Sequence, residues 1–91
     1  MKSKQVIWKF PLKMDDSQTI DMPVDAYVLS IQTQHNIPCL WVMCSSDAPK
    51  RTRTFETFGT GHPMPIASRE YVGTYQVNNG NHVFHVFERF K

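Results

Sequence analysis

Two stretches of alternating apolar and polar residues flank a short polar segment in the first half of the chain. Residues 27–32 alternate before Gln34-His35-Asn36-Ile37, and residues 39–44 alternate after it. A period of two is typical of strands with one buried face. A loop of two or four residues centred on His35-Asn36 predicts three cross-strand pairs. They are Ile31 with Leu40, Leu29 with Val42, and Tyr27 with Cys44. We therefore predict a β-hairpin whose buried face carries these six residues.

A second hairpin is indicated by Asn78-Asn79-Gly80-Asn81. Asn-Gly favours the positive φ angles of a type I′ turn. A turn centred on Asn79-Gly80 predicts Tyr75 opposite Phe84 and Gly73 opposite Val86. Both faces of this hairpin carry apolar residues, so we expect it to be central in its sheet or covered on both sides.

Three further strands complete the predicted fold. They cover residues 5–10, 19–22 and 52–58, and six prolines and four glycines punctuate the chain. Residues 64–70, which include Pro65, could form one helical turn at most. The pattern predicts an all-β fold, a small antiparallel sandwich or barrel of about seven strands, in a single domain over residues 1–91.

The size of the chain favours self-association. Its 91 residues are enough for one core, and 41% of them are hydrophobic, including six Phe, three Tyr and two Trp. A domain this small leaves much of its surface exposed and is marginally stable alone. We therefore expect a homo-oligomer.

Charge and cysteine content favour a soluble cytoplasmic protein. The net charge is +2 and the basic residues are dispersed apart from Lys50, Arg51 and Arg53, so nucleic acid is not the favoured partner. No apolar run approaches the length of about 18–20 residues that crosses a membrane, and the first residues lack the apolar stretch of a signal peptide. Cys39 and Cys44 are predicted to be free buried thiols, because five positions along one strand put them on opposite faces.

The segment Gly59-Thr60-Gly61-His62-Pro63 is the principal candidate for ligand binding. Two glycines around a threonine allow successive N–H groups to converge on an anion, with Thr60 and His62 as further donors. Arg51 and Arg53 precede it on one strand face and could bind phosphate through two N–H groups each. The alternative is a glycine-rich bend that only reverses the chain.

Trp41 and Tyr71 are the candidate stacking residues for a base. Trp41 and Met43 lie on the mixed face of the first hairpin, where packing against a second subunit is the favoured interpretation.

Catalytic and metal-binding patterns are weak in this sequence. There is no Cys-x-x-Cys or His-x-His pair, and His82 and His85 point to opposite faces of a strand. Asp15 and Asp16 lie in a predicted turn, where Asp is favoured for local hydrogen bonds. We predict a non-enzymatic protein without cofactor or metal.

Several stretches together resemble a family of short uncharacterised bacteriophage proteins. They are Ile7-Trp8-Lys9-Phe10-Pro11-Leu12, Pro38-Cys39-Leu40-Trp41, Phe58-Gly59-Thr60-Gly61-His62-Pro63, Tyr71-Val72-Gly73-Thr74-Tyr75-Gln76 and Phe84-His85-Val86-Phe87-Glu88. The resemblance spans nearly the whole chain and implies expression in the cytoplasm of an infected bacterium. It transfers no catalytic residue.

Three functions are compatible with these observations. The favoured one is sequestration, without cleavage, of a phosphate-bearing small molecule such as a host immune signalling nucleotide, in a pocket at an oligomer interface. Arg51, Arg53, Thr60, Gly61 and His62 would hold phosphate, and Trp41 or Tyr71 would stack on a base. The second is a protein–protein interaction module, either a virion component or a direct inhibitor of a host defence enzyme. The third is a single-stranded nucleic-acid binder.

Overall fold

The computed structural model describes residues 4–90 and has an all-β fold, as predicted. Its seven strands are β1 (Gln5–Pro11), β2 (Ser17–Pro23), β3 (Tyr27–Gln34), β4 (Ile37–Ser45), β5 (Lys50–Gly59), β6 (Arg69–Val77) and β7 (His82–Arg89). All pairings are antiparallel, in a three-stranded sheet ordered β1-β4-β3 and a four-stranded sheet ordered β2-β5-β7-β6. The two sheets share one hydrophobic core, which is the sandwich alternative of the predicted fold class.

The first hairpin has the predicted turn but a different register beyond it. His35 and Asn36 have φ values of 52° and 64° and connect the strands directly, and Ile31 faces Leu40 as predicted. A β-bulge between Val28 and Ser30 then shifts the pairing. The observed pairs beyond the bulge are Val28 with Val42 and Tyr27 with Met43. The predicted pairs Leu29–Val42 and Tyr27–Cys44 are therefore wrong, because one extra residue exchanges the faces of a strand.

The bulge also changes which side chains enter the core. Leu29 was expected to be buried with its neighbours but is 45% exposed, and Tyr27 is 64% exposed. Val28 packs against the core instead. The outward face of the three-stranded sheet consequently carries more apolar surface than the sequence pattern predicted.

The second hairpin has its turn centred on Asn79-Gly80, which confirms the prediction. Both residues have positive φ, 57° and 83°, and the N–H of Asn81 donates to the carbonyl of Asn78, which defines a type I′ turn. Tyr75 faces Phe84 and Gly73 faces Val86, as predicted. A second bulge, between Tyr71 and Gly73, places Tyr71 rather than Val72 opposite Phe87.

The core lies between the sheets and includes one of the two cysteines. Its most deeply buried side chains include Met22, Leu40, Val42, Phe55 and Val86. Both cysteines are free and buried, as predicted. Burial, with a smaller contribution from the Asp25 carboxylate, raises the pKa of the Cys44 thiol, which keeps it protonated and unreactive.

Two irregular segments flank the end of β5. Residues 60–68 contain no helix, and Arg69 and Glu70 already belong to β6, so the helical turn considered for residues 64–70 does not form. Residues 12–16 connect β1 to β2 and cross from one sheet to the other. The N–H of Thr57 donates to the carbonyl of Asp16, which holds this connection beside the end of β5.

Candidate functional site

The Gly59-Thr60-Gly61-His62 segment forms a tight turn and not an anion nest. The N–H of His62 donates to the carbonyl of Gly59 at 3.0 Å, and Gly61 has a φ of +85°, the geometry of a type II turn. The N–H of Thr60 donates to the carbonyl of Val83 at 3.4 Å. Two of the N–H groups that a nest would offer to an anion are therefore directed at carbonyl oxygens.

Arg53 lies in a buried ion pair, away from the predicted phosphate site. Its Nε and Nη2 donate to the two carboxylate oxygens of Glu88, each at 2.7 Å, and its Nη1 donates to the carbonyl of Ala26 at 2.9 Å. The side chains of the pair are only 10% and 9% exposed. The role of Arg53 is thus to neutralise a buried carboxylate.

Arg51 is exposed but distant from the turn. It lies opposite Met22 near the beginning of β5, and Gly59 is the last residue of that strand. Eight residues of extended chain separate Arg51 from Gly59, and six separate Arg53 from it, which correspond to about 26 Å and about 20 Å. The structure does not bring the arginines and the turn together, and the single anion site predicted from them is not assembled.

The two candidate stacking residues lie on opposite outer surfaces of the sandwich. Trp41 is half-buried on the outward face of β4, opposite Lys9 and Ser30. Tyr71 is 57% exposed on β6, where it contacts the ring of Phe87 edge-on. One ligand cannot stack on both.

Thr60 and Tyr71 are nevertheless connected through the imidazole of His85. Thr60 Oγ1 lies 2.7 Å from His85 Nε2, and Thr74 Oγ1 lies 2.9 Å from His85 Nδ1. The hydroxyl of Tyr71 completes the chain at 2.6 Å from Thr74 Oγ1. Both ring nitrogens of His85 thus have hydroxyl partners, and these contacts hold the turn after β5 to β7 and β6.

A pocket of about 430 Å³ opens between the connection 12–16 and the segment 60–68. Its volume falls in the range of small-molecule sites. Of the predicted site residues, His62 lines this pocket, with its ring against the Cα of Gly59. Its apolar wall includes Met14, Phe58, Ile66, Tyr75 and Phe84. We call it the end pocket.

An ionic triad of Glu56, Arg69 and Arg89 forms one charged part of the end pocket, and Asp15 and Asp16 form another. Glu56 accepts hydrogen bonds from Arg69 Nε at 2.6 Å and from Arg89 Nη1 at 2.8 Å. Burial alone would raise the pKa of the Glu56 carboxyl, but the hydrogen bonds and charges of the two arginines outweigh it, so that pKa lies below its ordinary value. One ionised carboxylate faces two guanidinium groups, which leaves a net charge of about +1 on the triad.

The two arginines of the triad differ in their exposure and in how many of their N–H groups have hydrogen-bond acceptors. Arg69 is 9% exposed, donates from Nη1 to the carbonyl of Pro65 at 2.6 Å, and lies 4.9 Å from the centre of the Phe58 ring. Arg89 is 35% exposed, and its buried Nε has no acceptor among residues 4–90. In Arg53 the Nε–Nη2 edge holds a carboxylate with two hydrogen bonds. In Arg89 that edge holds no carboxylate of the described chain.

The sequence pattern did not identify the triad. Glu56 and Phe58 occupy alternate positions of β5, which predicts that they share a face. The two arginines are 13 and 33 positions from Glu56, and their convergence depends on the order of β5, β7 and β6 in the sheet. Asp15 and Asp16, interpreted only as turn residues, also line the end pocket.

Metal-ligand clusters and membrane-spanning helices are two features that residues 4–90 lack. Across residues 4–90, no three His, Cys, Asp or Glu side chains converge in a way that could hold a metal ion. The same part of the chain has no helix with the length and apolar character needed to cross a membrane.

Comparison with known proteins identifies the family but no function. No curated protein and no solved structure matches the chain. A family model described as a domain of unknown function, DUF7352, matches residues 3–91, which is nearly the whole chain. The protein therefore belongs to the DUF7352 family.

Proposed function

We propose that this protein is a non-enzymatic binding protein that sequesters a phosphate-bearing small molecule in the end pocket. The observation that carries the proposal is the position of Arg89, which borders the pocket, is 35% exposed and shares its carboxylate partner Glu56 with Arg69. The proposed ligand class is the one favoured from the sequence, but the pocket lies within one chain and not at an oligomer interface, and the phosphate-binding residues are different. Arg89, supported by Arg69 and Glu56, takes the role first given to Arg51 and Arg53.

The charge of the triad supports an anionic ligand at this point. Glu56 neutralises only one of the two guanidinium groups that contact it. A phosphate group accepts hydrogen bonds from guanidinium N–H groups, and such charge-assisted hydrogen bonds are stronger than neutral ones. Glu56 also fixes Nη1 of Arg89, so the guanidinium is held in place before the ligand binds.

The apolar wall supports a ligand with a flat ring in addition to its phosphate. Phe58, Tyr75 and Phe84 border the pocket together with the imidazole of His62. Aromatic side chains provide contact area for a base at low entropic cost. Asp15 and Asp16 supply acceptors that suit the hydroxyl or amino groups of a nucleotide. Phosphate, sugar and base would thus meet different parts of one pocket.

The protonation state of the triad supports a positioning role for Glu56 and argues against its use as a general acid. A general acid must hold a proton near neutral pH, which requires a raised pKa in a carboxyl group. The two arginines lower the pKa of Glu56 instead, so this carboxylate stays ionised and positions Arg89. We therefore assign Glu56 a structural role in ligand binding and propose no reaction.

The biological setting of the proposal comes from the resemblance to bacteriophage proteins. A phage protein made in the cytoplasm of an infected bacterium would encounter host signalling nucleotides there. Capturing such a nucleotide in the end pocket would prevent it from reaching its receptor. In this proposal the protein acts by stoichiometric binding.

A protein–protein interaction module is the second candidate function. It is favoured by one observation, the exposure of Ile7 and Tyr27 on the outward face of the three-stranded sheet. A single-stranded nucleic-acid binder has less support, because three of the four arginines are paired with glutamates. An extended basic groove would leave them free for phosphates.

Isothermal titration calorimetry with defined ligands tests the proposed function. The probes are inorganic phosphate, adenosine monophosphate and a cyclic dinucleotide. We expect the wild type to bind at least one nucleotide and Arg89→Ala to weaken that binding by about ten- to hundred-fold, as for a lost charged hydrogen bond of about 1.5–3 kcal/mol. Arg89→Lys keeps the charge but loses the planar guanidinium that Glu56 holds in place, and it should recover only part of the affinity.

Arg51→Ala is the matched control for this titration. It removes an exposed arginine of the same sheet that is not among the residues lining the end pocket. We expect its affinity to equal that of the wild type. Equal affinities of wild type, Arg89→Ala and Arg51→Ala would contradict the assignment of Arg89, and the absence of heat with all three probes would contradict binding of these ligands.

A further inference from the structure

The outward face of the three-stranded sheet carries a continuous row of apolar side chains. Met43 on the central strand lies directly between Ile7 of β1 and Tyr27 of β3. Ile7 and Tyr27 are 62% and 64% exposed, whereas Met43 is half-buried between them. Trp41 lies two positions further along β4 on the same face. We call these four residues the apolar face.

This arrangement is unusual for the solvent side of a sheet. The opposite side of the same strands already packs on the core through Trp8, Val28 and Val42. An antiparallel sheet with one free side normally alternates between apolar and polar residues. Here the outward side also carries the apolar face among polar positions such as Gln5, Ser30 and Gln32, so this part of it is suited to contact with another protein surface.

The scarcity of charged residues around the apolar face argues against a strongly charged partner. The outward positions of β1, β3 and β4, all within the described residues, carry one charged side chain, Lys9. Its ammonium group is bound by Gln34 Oε1 at 2.7 Å. Depletion of charge at the centre is characteristic of protein interfaces, and of homodimers most strongly.

The order of the row fits a second copy of the same chain. A two-fold axis parallel to β4 and passing between two such faces would place Met43 opposite Met43 of the other copy. The same rotation would place Ile7 opposite Tyr27, once on each side of the axis. A small side chain then meets a large one at both flanking positions, which is the self-complementarity that an isologous interface requires.

We propose that the protein forms a homodimer in which the apolar faces of two copies pack against each other. The interface leaves the end pocket free, because that pocket is lined by the ends of the other sheet and by two connecting segments. The proposal is thus independent of the proposed function. It assigns specific residues to the homo-oligomer that we expect from the small size of the domain.

Sedimentation velocity over a range from micromolar to about 200 µM protein tests the dimer. The wild type is expected to sediment as a dimer at the upper end of this range. Tyr27→Ser removes an exposed ring without touching the core and is expected to shift the equilibrium to monomer by at least ten-fold in dissociation constant. Met43→Glu places a charge beside the axis and is expected to abolish the dimer. The control Tyr71→Ser removes an exposed aromatic residue of the other sheet and is expected to remain dimeric.

Cross-linking distinguishes face-to-face packing from pairing of sheet edges. Packed sheets lie about 10 Å apart, so a bis-maleimide of that span is expected to link Met43→Cys across the interface. Tyr71→Cys is the control that should not link, and wild type controls for reaction at the two native cysteines, which are buried. A monomeric wild type at 200 µM would overturn the proposal. A dimer that persists unchanged in Tyr27→Ser and in Met43→Glu would overturn it as well. A monomer whose apolar face binds only a different protein would also overturn it.

Discussion

Gly73 of β6 lies directly against Ile31 of β3, at the side of the sandwich where the two sheets approach each other. A Cβ atom built on Gly73 would overlap Cγ2 of Ile31. The same strands are also joined near their hairpin turns, where Asn36 Oδ1 accepts a hydrogen bond from the N–H of Asn78 at 3.0 Å. A residue without a side chain at position 73 therefore allows the sheets to meet.

Gly73→Ala should destabilise the fold by about 1–3 kcal/mol, because the added methyl group overpacks the junction. The effect is specific to Ile31 and is tested by a double-mutant cycle in chemical denaturation. In an Ile31→Ala background the extra methyl group gains space, and Gly73→Ala should cost less by at least about 0.5 kcal/mol. Additive costs would show that Ile31 is not the neighbour that limits this position.

Arg53→Ala should cost about 3–5 kcal/mol of folding free energy, since it leaves the buried Glu88 carboxylate without a counter-charge. This replaces the expectation from the sequence that Arg53 is a ligand residue whose loss leaves the fold intact. Urea denaturation measures the cost. The double replacement Arg53→Met with Glu88→Leu should recover most of the lost stability, because no unpaired charge remains. A single Arg53→Ala variant as stable as wild type would exclude this role.

The bulge in β3 can be tested by comparing two leucines of the same hairpin. Leu40 is fully buried and Leu29 is 45% exposed. Leu40→Ala should cost about 2–5 kcal/mol, whereas Leu29→Ala should change stability by less than about 1 kcal/mol. Equal losses in thermal or urea denaturation would mean that Leu29 is in the core and that the regular register is correct.

The hairpins were predictable because their turns are encoded locally. Asn79-Gly80 and His35-Asn36 adopt positive φ angles that few other residue pairs tolerate, and the pairs nearest each turn follow by counting. The bulges at Leu29 and Val72 were not predictable in this way. A bulge responds to the twist and packing of the whole sheet, and neither leucine nor valine is a residue type that marks a bulge.

The candidate site was predictable only in part, for a related reason. His62 lies in the end pocket because the glycine-rich turn places it there. The partner of Arg53 is 35 positions away and that of Arg89 is 33 positions away. An arginine that shares its carboxylate with a second arginine and one that has a carboxylate to itself look identical in a sequence, so the choice between Arg53 and Arg89 required the order of strands in the sheet.

The stability contributed by Glu56 should depend on pH in a defined direction. Because its pKa is lowered in the folded state, its contribution is complete above the ordinary pKa of glutamate and is lost as the pH falls through the folded value. Glu56→Gln should therefore cost about 1–3 kcal/mol at neutral pH and progressively less under acidic conditions. Urea denaturation of both proteins from neutral pH to the acid range measures the difference.

Asp47→Asn is the control for this pH series, because Asp47 is exposed in the connection between β4 and β5. It should change stability by less than about 0.5 kcal/mol throughout. A difference between wild type and Glu56→Gln that stayed constant, or grew as the pH fell, would contradict the triad described for the end pocket.

Native mass spectrometry after incubation with a small-molecule extract of bacteria tests the central claim most directly. The wild type should retain a ligand whose fragmentation spectrum contains phosphate ions, Arg51→Ala should retain the same ligand, and Arg89→Ala should lose it. The three proteins are compared at equal concentration after folding has been verified by circular dichroism. A wild type that retains no phosphate-bearing ligand, or an Arg89→Ala variant that retains it as fully as wild type, would contradict the proposed function of the end pocket.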